Sequence, residues 1–89
     1  MVTTAFGKAQ VTEEVTLKQR ANGKQFSTLV QLLEDEKGEW FVRFAYATDG
    51  TARRGPVTLR VRDLERLRAA AVGDHPALAR ALGWTGGDA

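Results

Sequence analysis

At 89 residues, 43% hydrophobic and 27% charged, the chain has room for one domain with a modest core, and its composition is that of an ordinary globular protein rather than a disordered or membrane one. It contains no cysteine, which excludes disulfides and thiolate metal sites, and no apolar run near the roughly 20 residues that cross a bilayer. The net charge of +2 is small but unevenly spread, with Arg53, Arg54, Arg60, Arg62, Arg66 and Arg68 in one segment and Glu34, Asp35, Glu36 and Glu39 around Lys37 in another. The opening Met1-Val2-Thr3-Thr4-Ala5 lacks the basic and apolar regions of a secretory signal, so the expected compartment is the cytoplasm.

In chain order, three turn signals punctuate runs rich in β-branched and aromatic residues: Asn22-Gly23, Lys37-Gly38 and Asp49-Gly50. Asn-Gly and Asp-Gly suit two-residue hairpin turns, which need positive φ at both central positions. Strands are expected at about 13–20, 24–34, 40–48 and 52–59. The first turn sets Val15 opposite Val30 and Leu17 opposite Thr28. A three-residue loop, Glu36-Lys37-Gly38, sets Val30 opposite Phe44 and Leu32 opposite Val42, whereas a four-residue loop would mix polar and apolar faces. The third turn brings Val42 to Val57 and Trp40 to Leu59.

These registers sort the sheet into two faces. One collects Val15, Leu17, Phe26, Val30, Leu32, Trp40, Val42, Phe44, Tyr46, Val57 and Leu59 and is the expected core face. The other carries Lys18, Arg20, Arg43, Arg54 and Arg60 beside Leu29, Leu33, Phe41 and Ala45. Next, Val61, Leu64, Leu67 and Ala71 recur at helical spacing, which predicts a helix over about 61–72 lying against the core face and ended by Gly73. Asp74 and Pro76 suit the start of a short helix over about 75–82, and 85–89 reads as a flexible tail. The expected fold is therefore α+β, a single domain over 1–84 with a four-stranded antiparallel β-meander (about 13–59), an α-helix and a short C-terminal helix.

The inventory for chemistry is thin. His75 is the one histidine and Ser27 the one serine, and Ser27 falls mid-strand with no base expected beside it. Scattered acids and a lone histidine supply no metal site, and the acidic turn at 34–39 lacks the ligand spacing of a calcium loop. No glycine-rich loop leads from a strand into a helix. The expectation is a protein without enzymatic activity, cofactor or metal.

What remains is the basic face, because single strands are held by cations that follow phosphates and by flat rings on which bases stack. Lys18, Arg20, Arg43, Arg53, Arg54 and Arg60 are the candidate phosphate contacts, with Phe41 and Tyr46 as candidate stacking residues. Arg62, Arg66 and Arg68 read as the solvated side of the helix.

The segment Ala52-Arg53-Arg54-Gly55-Pro56-Val57-Thr58-Leu59, followed by Asp63-Leu64-Glu65-Arg66-Leu67, resembles the single-stranded-DNA-binding transcriptional coactivator domain called positive cofactor four. Pro56 is an additional residue relative to that family, and Arg60 stands where it commonly has a Ser or Thr helix cap. The resemblance implies four strands and a helix, a homodimer joined through helix and strand surfaces, and sheets that bind the strand, with Arg53 and Arg54 at DNA-contacting positions. The leading expectation is thus a homodimeric module for single-stranded DNA or RNA. The rival is a protein-interaction module or small regulatory subunit that docks through Leu29, Leu33 and Phe41, or through Leu78, Leu82 and Trp84.

Overall fold

A computed structural model describes residues 1–48, 51–52 and 57–84. Its elements are β1 (Val2–Thr4), β2 (Gly7–Ala21), β3 (Lys24–Glu34), β4 (Trp40–Thr48), β5 (Thr51–Ala52), β6 (Val57–Arg60), α1 (Val61–Asp74) and α2 (Pro76–Ala81). The strands run in the order β1-β2-β3-β4, and β5 and β6 both pair with β4 on its far edge, as two pieces of a fifth strand. The expected four-stranded meander is corrected accordingly: the chain folds as a curled five-stranded antiparallel sheet, a half-barrel, followed by two helices.

The extra strand comes from the first twelve residues. Thr4 closes a tight turn by accepting the Phe6 N–H and donating its hydroxyl to the Gly7 carbonyl, both at 2.9 Å. Gly7 has φ 109°, a conformation that side chains rarely adopt, and the chain returns as β2 with Val2 opposite Ala9. The register of β2 shifts between Val11 and Glu13, and the Thr12 hydroxyl donates to the Leu32 carbonyl at 3.1 Å. Such a bulge bends a strand, and it also swaps faces. Val11 pairs with Leu33 on one side of the sheet, whereas Val15 pairs with Val30 on the other.

The first two hairpins have the registers that their turn residues predict. Asn22 and Gly23 both take positive φ, and Val15 meets Val30, Leu17 meets Thr28 and Gln19 meets Phe26. Across the second turn Val30 meets Phe44 and Leu32 meets Val42, with Asp35 Oδ1 accepting the Lys37 and Glu39 amides at 2.9 Å. On the far edge of β4 the expected register survives only at β5, where Ala47 meets Ala52. Along β6 it has slipped by two, so Val42 meets Leu59 and Phe44 meets Val57. An even slip leaves every side chain on its expected face.

The side that the helices cover is the larger correction. Along β4, Phe41, Ala45 and Ala47 are buried, whereas Trp40, Phe44 and Tyr46 on the opposite side are exposed. α1 packs against β4 and β6 and α2 against α1, with Ala71 of α1 and Ala79 of α2 buried. The helical layer thus lies on the face that carries Leu33, Phe41 and Arg43, and the expected core face is left open. The two sides of β4 differ in volume: Ala45 and Ala47 are small and buried, whereas the alternate Trp40, Phe44 and Tyr46 are large and stand in solvent, and layers approach more closely over small side chains than over large ones.

Leu64 and Ala71 of the expected helical stripe turn inward, but Val61 and Leu67 stay exposed. Gly73 lies inside α1 rather than ending it, and His75, not Asp74, stands at the cap of α2.

Candidate functional site

The helix-covered face begins with an aromatic core. Phe41 is only 2% exposed and packs with Leu33 and Ala9, with Val2 and Val11 alongside. The Phe6 ring stacks on Phe41 at a centroid distance of 5.1 Å, and the Arg60 guanidinium lies 4.4 Å from the Phe6 centroid. Cation, ring and ring thus form a three-layer stack that seals the N-terminal turn against the sheet. Arg60 is held there by Asp63 at 3.3 Å and by Glu39 at 3.8 Å, and its Nε has no hydrogen-bond partner.

Next to this stack runs a polar ladder across three strands. Arg43 Nε donates to Gln31 Oε1 at 2.8 Å, and Gln31 Nε2 donates to Glu14 Oε1 at 2.7 Å. Gln31 is buried, so an amide links a cation and an anion that lie two strands apart.

Asp63 accepts hydrogen bonds from Arg60 at 3.3 Å and from Arg66 at 3.2 Å. Desolvation pushes its carboxyl up, but the hydrogen bonds and charges of the two arginines outweigh that push and hold it below its ordinary value of 3.8. A carboxylate depressed on folding stabilises the native state above its unfolded pKa and loses that contribution as pH falls through the folded value. Asp63→Asn is therefore expected to flatten the acid branch of a thermal-unfolding profile below about pH 4. An acid branch as steep as in the parent would contradict this role.

The proposed nucleic-acid residues are consequently dispersed. Phe41 is sealed under Phe6, Arg43 belongs to the ladder and Arg60 to the stack. Tyr46 lies on the other side of the sheet, 40% exposed. Lys18 and Arg20 sit opposite Ser27 and Gln25 on the outer part of the β2–β3 hairpin, where β2 is exposed along its length. Arg53 and Arg54 lie outside the described residues. Arg62, Arg66 and Arg68 are on the outside of α1 in ion pairs with Glu39, Asp63 and Glu65.

The open face was misread as core, and it is the most distinctive surface of the molecule. Its cross-strand rows are Leu32–Val42–Leu59, Val15–Val30–Phe44–Val57 and Leu17–Thr28–Tyr46, with Phe26 and Trp40 at opposite ends. Val15 and Leu17 are 62% and 60% exposed, Val57 55% and Trp40 40%. Between β2 and β4 lies a shallow depression of about 200 Å³, lined mainly by Glu13, Val15, Val30, Leu32 and Val42. Charge is confined to the ends, with Glu13 and Glu34 at one and Lys24 at the other.

Among the described residues no group of three or more His, Asp or Glu side chains is placed to hold a metal ion, and no helix is long and apolar enough to cross a membrane. No family model, curated protein or solved structure matches the chain.

Proposed function

We propose that this chain is a protein-interaction module without chemistry of its own, and that its working surface is the open apolar face of the sheet. The observation that carries the reading is the unbroken apolar row Val15–Val30–Phe44–Val57, flanked by Leu17 and Tyr46 on one side and by Leu32, Val42 and Leu59 on the other, on the open side of the sheet. The six most exposed of these side chains present on the order of 500 Å² of apolar surface, at the upper end of what monomers leave in water and mostly a mark of an interaction site. The occupant that suits it is the apolar surface of a protein, because the middle of the face offers no cation to a phosphate. The dye 1-anilinonaphthalene-8-sulfonate is expected to bind the dilute, monomeric chain and to lose that binding in Leu17→Lys. A dilute monomer that leaves the dye free would contradict the reading.

A second reading, a surface for single-stranded nucleic acid, is favoured by one arrangement on the same sheet. Trp40, Phe44 and Tyr46 are exposed along β4 and Lys24 shares their face, while Lys18 and Arg20 lie on the other side of the same hairpin; none of the three cations makes an ion pair among the described residues. The resemblance of residues 53–67 to the coactivator domain supports it too. Fluorescence anisotropy with a labelled single strand, at low and near-physiological salt and with a duplex control, separates the two readings. Binding that prefers the single strand and falls steeply with salt favours nucleic acid. No binding at low salt removes it.

A further inference from the structure

We infer that the partner of the open sheet face is a second copy of this chain, packed sheet to sheet about a two-fold axis that runs between the sheets and across the strands. This inference rests on the open face being a protein-docking surface, and it adds which protein docks and in which orientation.

Area is the first argument. A stable interface removes about 800 Å² from each partner, and the exposed apolar side chains together with their polar border approach that size. The long central row, Val15–Val30–Phe44–Val57, crosses four strands and would form the dry middle of such an interface, as in two packed sheets about 10 Å apart. The charged groups of the face, Lys24, Glu13 and Glu34, lie towards its ends, where a rim would be, and Thr28 nearer the middle donates its hydroxyl to Gln19 at 2.6 Å.

Charge decides the orientation. Lys24 lies beside the Asn22-Gly23 turn, and Glu13 and Glu34 lie towards the other end of the same face. From Glu13 to Ala21, the residue opposite Lys24, β2 advances by about 26 Å at the usual rise of a strand. An axis parallel to the strands would lay Lys24 on Lys24 and carboxylate on carboxylate. An axis across the strands lays each Lys24 against Glu13 and Glu34 of the other copy. Because a two-fold interface makes every contact twice, the favourable arrangement gains two such pairings and the other suffers two like-charge clashes.

Sedimentation velocity over a concentration series, on the intact chain, tests the association. A reversible species of twice the chain mass is expected at micromolar concentrations. A chain that stays monomeric throughout overturns the inference, and the dye then shows whether the docking reading falls with it: dye binding that Leu17→Lys abolishes leaves a face for a different protein, and none removes both. A charge exchange tests the orientation. Lys24→Glu alone, and Glu13→Lys with Glu34→Lys, should each weaken self-association by roughly tenfold, the size expected of two exposed ion pairs. Mixing the two variants should restore it, because every contact between unlike copies is then of opposite charge. Dimers indifferent to these exchanges overturn the orientation.

Discussion

Replacing Phe41 with alanine is expected to lower the stability of the fold by about 3–5 kcal/mol, a large fraction of the roughly 5–15 kcal/mol that holds a typical domain folded. The ring is 2% exposed, packs with Leu33 and Ala9, and is the platform on which Phe6 stacks. Its loss would open a cavity, release the turn between β1 and β2, and leave the Arg60 guanidinium without the ring it covers. Urea denaturation followed by circular dichroism measures the effect. Phe44→Ala, three residues along β4 but on the open side, should cost far less at concentrations too low for association. The opposite ranking would mean that the side of β4 carrying Phe44, and not the side carrying Phe41, is the buried one. If Phe41 stacked on bases, as its place in the sequence suggests, its truncation would spare the fold and weaken an oligonucleotide complex by about 1–3 kcal/mol.

Phe44→Asp is expected to weaken self-association by about a thousandfold while leaving the monomer folded. Phe44 stands in the central row between Val30 and Val57 and is partly in water already, so a carboxylate there adds little strain to the isolated chain. In the dimer it would be buried twice, at about 2 kcal/mol or more for each copy, and every 1.4 kcal/mol is a factor of ten. Sedimentation at matched concentrations reads the loss, and circular dichroism verifies the fold. Leu78→Asp is the contrast, because Leu78 is exposed on α2, in the helical layer. Association lost through Leu78 but not through Phe44 would move the interface to the helices.

Much of the sheet was legible in the sequence, because turn chemistry is local. Asn22-Gly23 and the Asp35–Glu39 turn each specify a register, and the side-chain period of two then assigns every residue of β3 and β4 to a face. Which face is covered was not legible by polarity alone. Both sides carry apolar residues, and the arginines on the covered side read as solvent-facing until their partners are known: Gln31 for Arg43, and Glu39, Asp63 and Phe6 for Arg60. Side-chain volume held the missing signal. Ala45 and Ala47 alternate with Phe44 and Tyr46, and it is the small residues that are buried and the large ones that are exposed.

The strand at the start was missed for a different reason. Thr4-Ala5-Phe6-Gly7 contains none of the common hairpin dipeptides, and the Thr4 hydroxyl takes over part of the turn's hydrogen bonding. The bulge at Thr12 then interrupts the alternation from Val11 to Val15, so the period of two could be followed back only to Glu13. As for the site, the open aromatic and aliphatic rows were identified as a set in the sequence but assigned to the interior, since a face so apolar ordinarily has its cover within the same chain.

The most direct measurement is zero-length carbodiimide cross-linking of the intact protein, followed by peptide mass mapping. Lys24 and the two carboxylates Glu13 and Glu34 share a face but lie at opposite ends of it, too far apart for an amide within one copy. Two copies packed about an axis across the strands predict an amide from Lys24 to Glu13 or Glu34 in a band of twice the chain mass, absent in Phe44→Asp. A cross-linked dimer joined only through groups of the helical layer, or no dimer band at concentrations where the chain sediments as a dimer, would contradict the account.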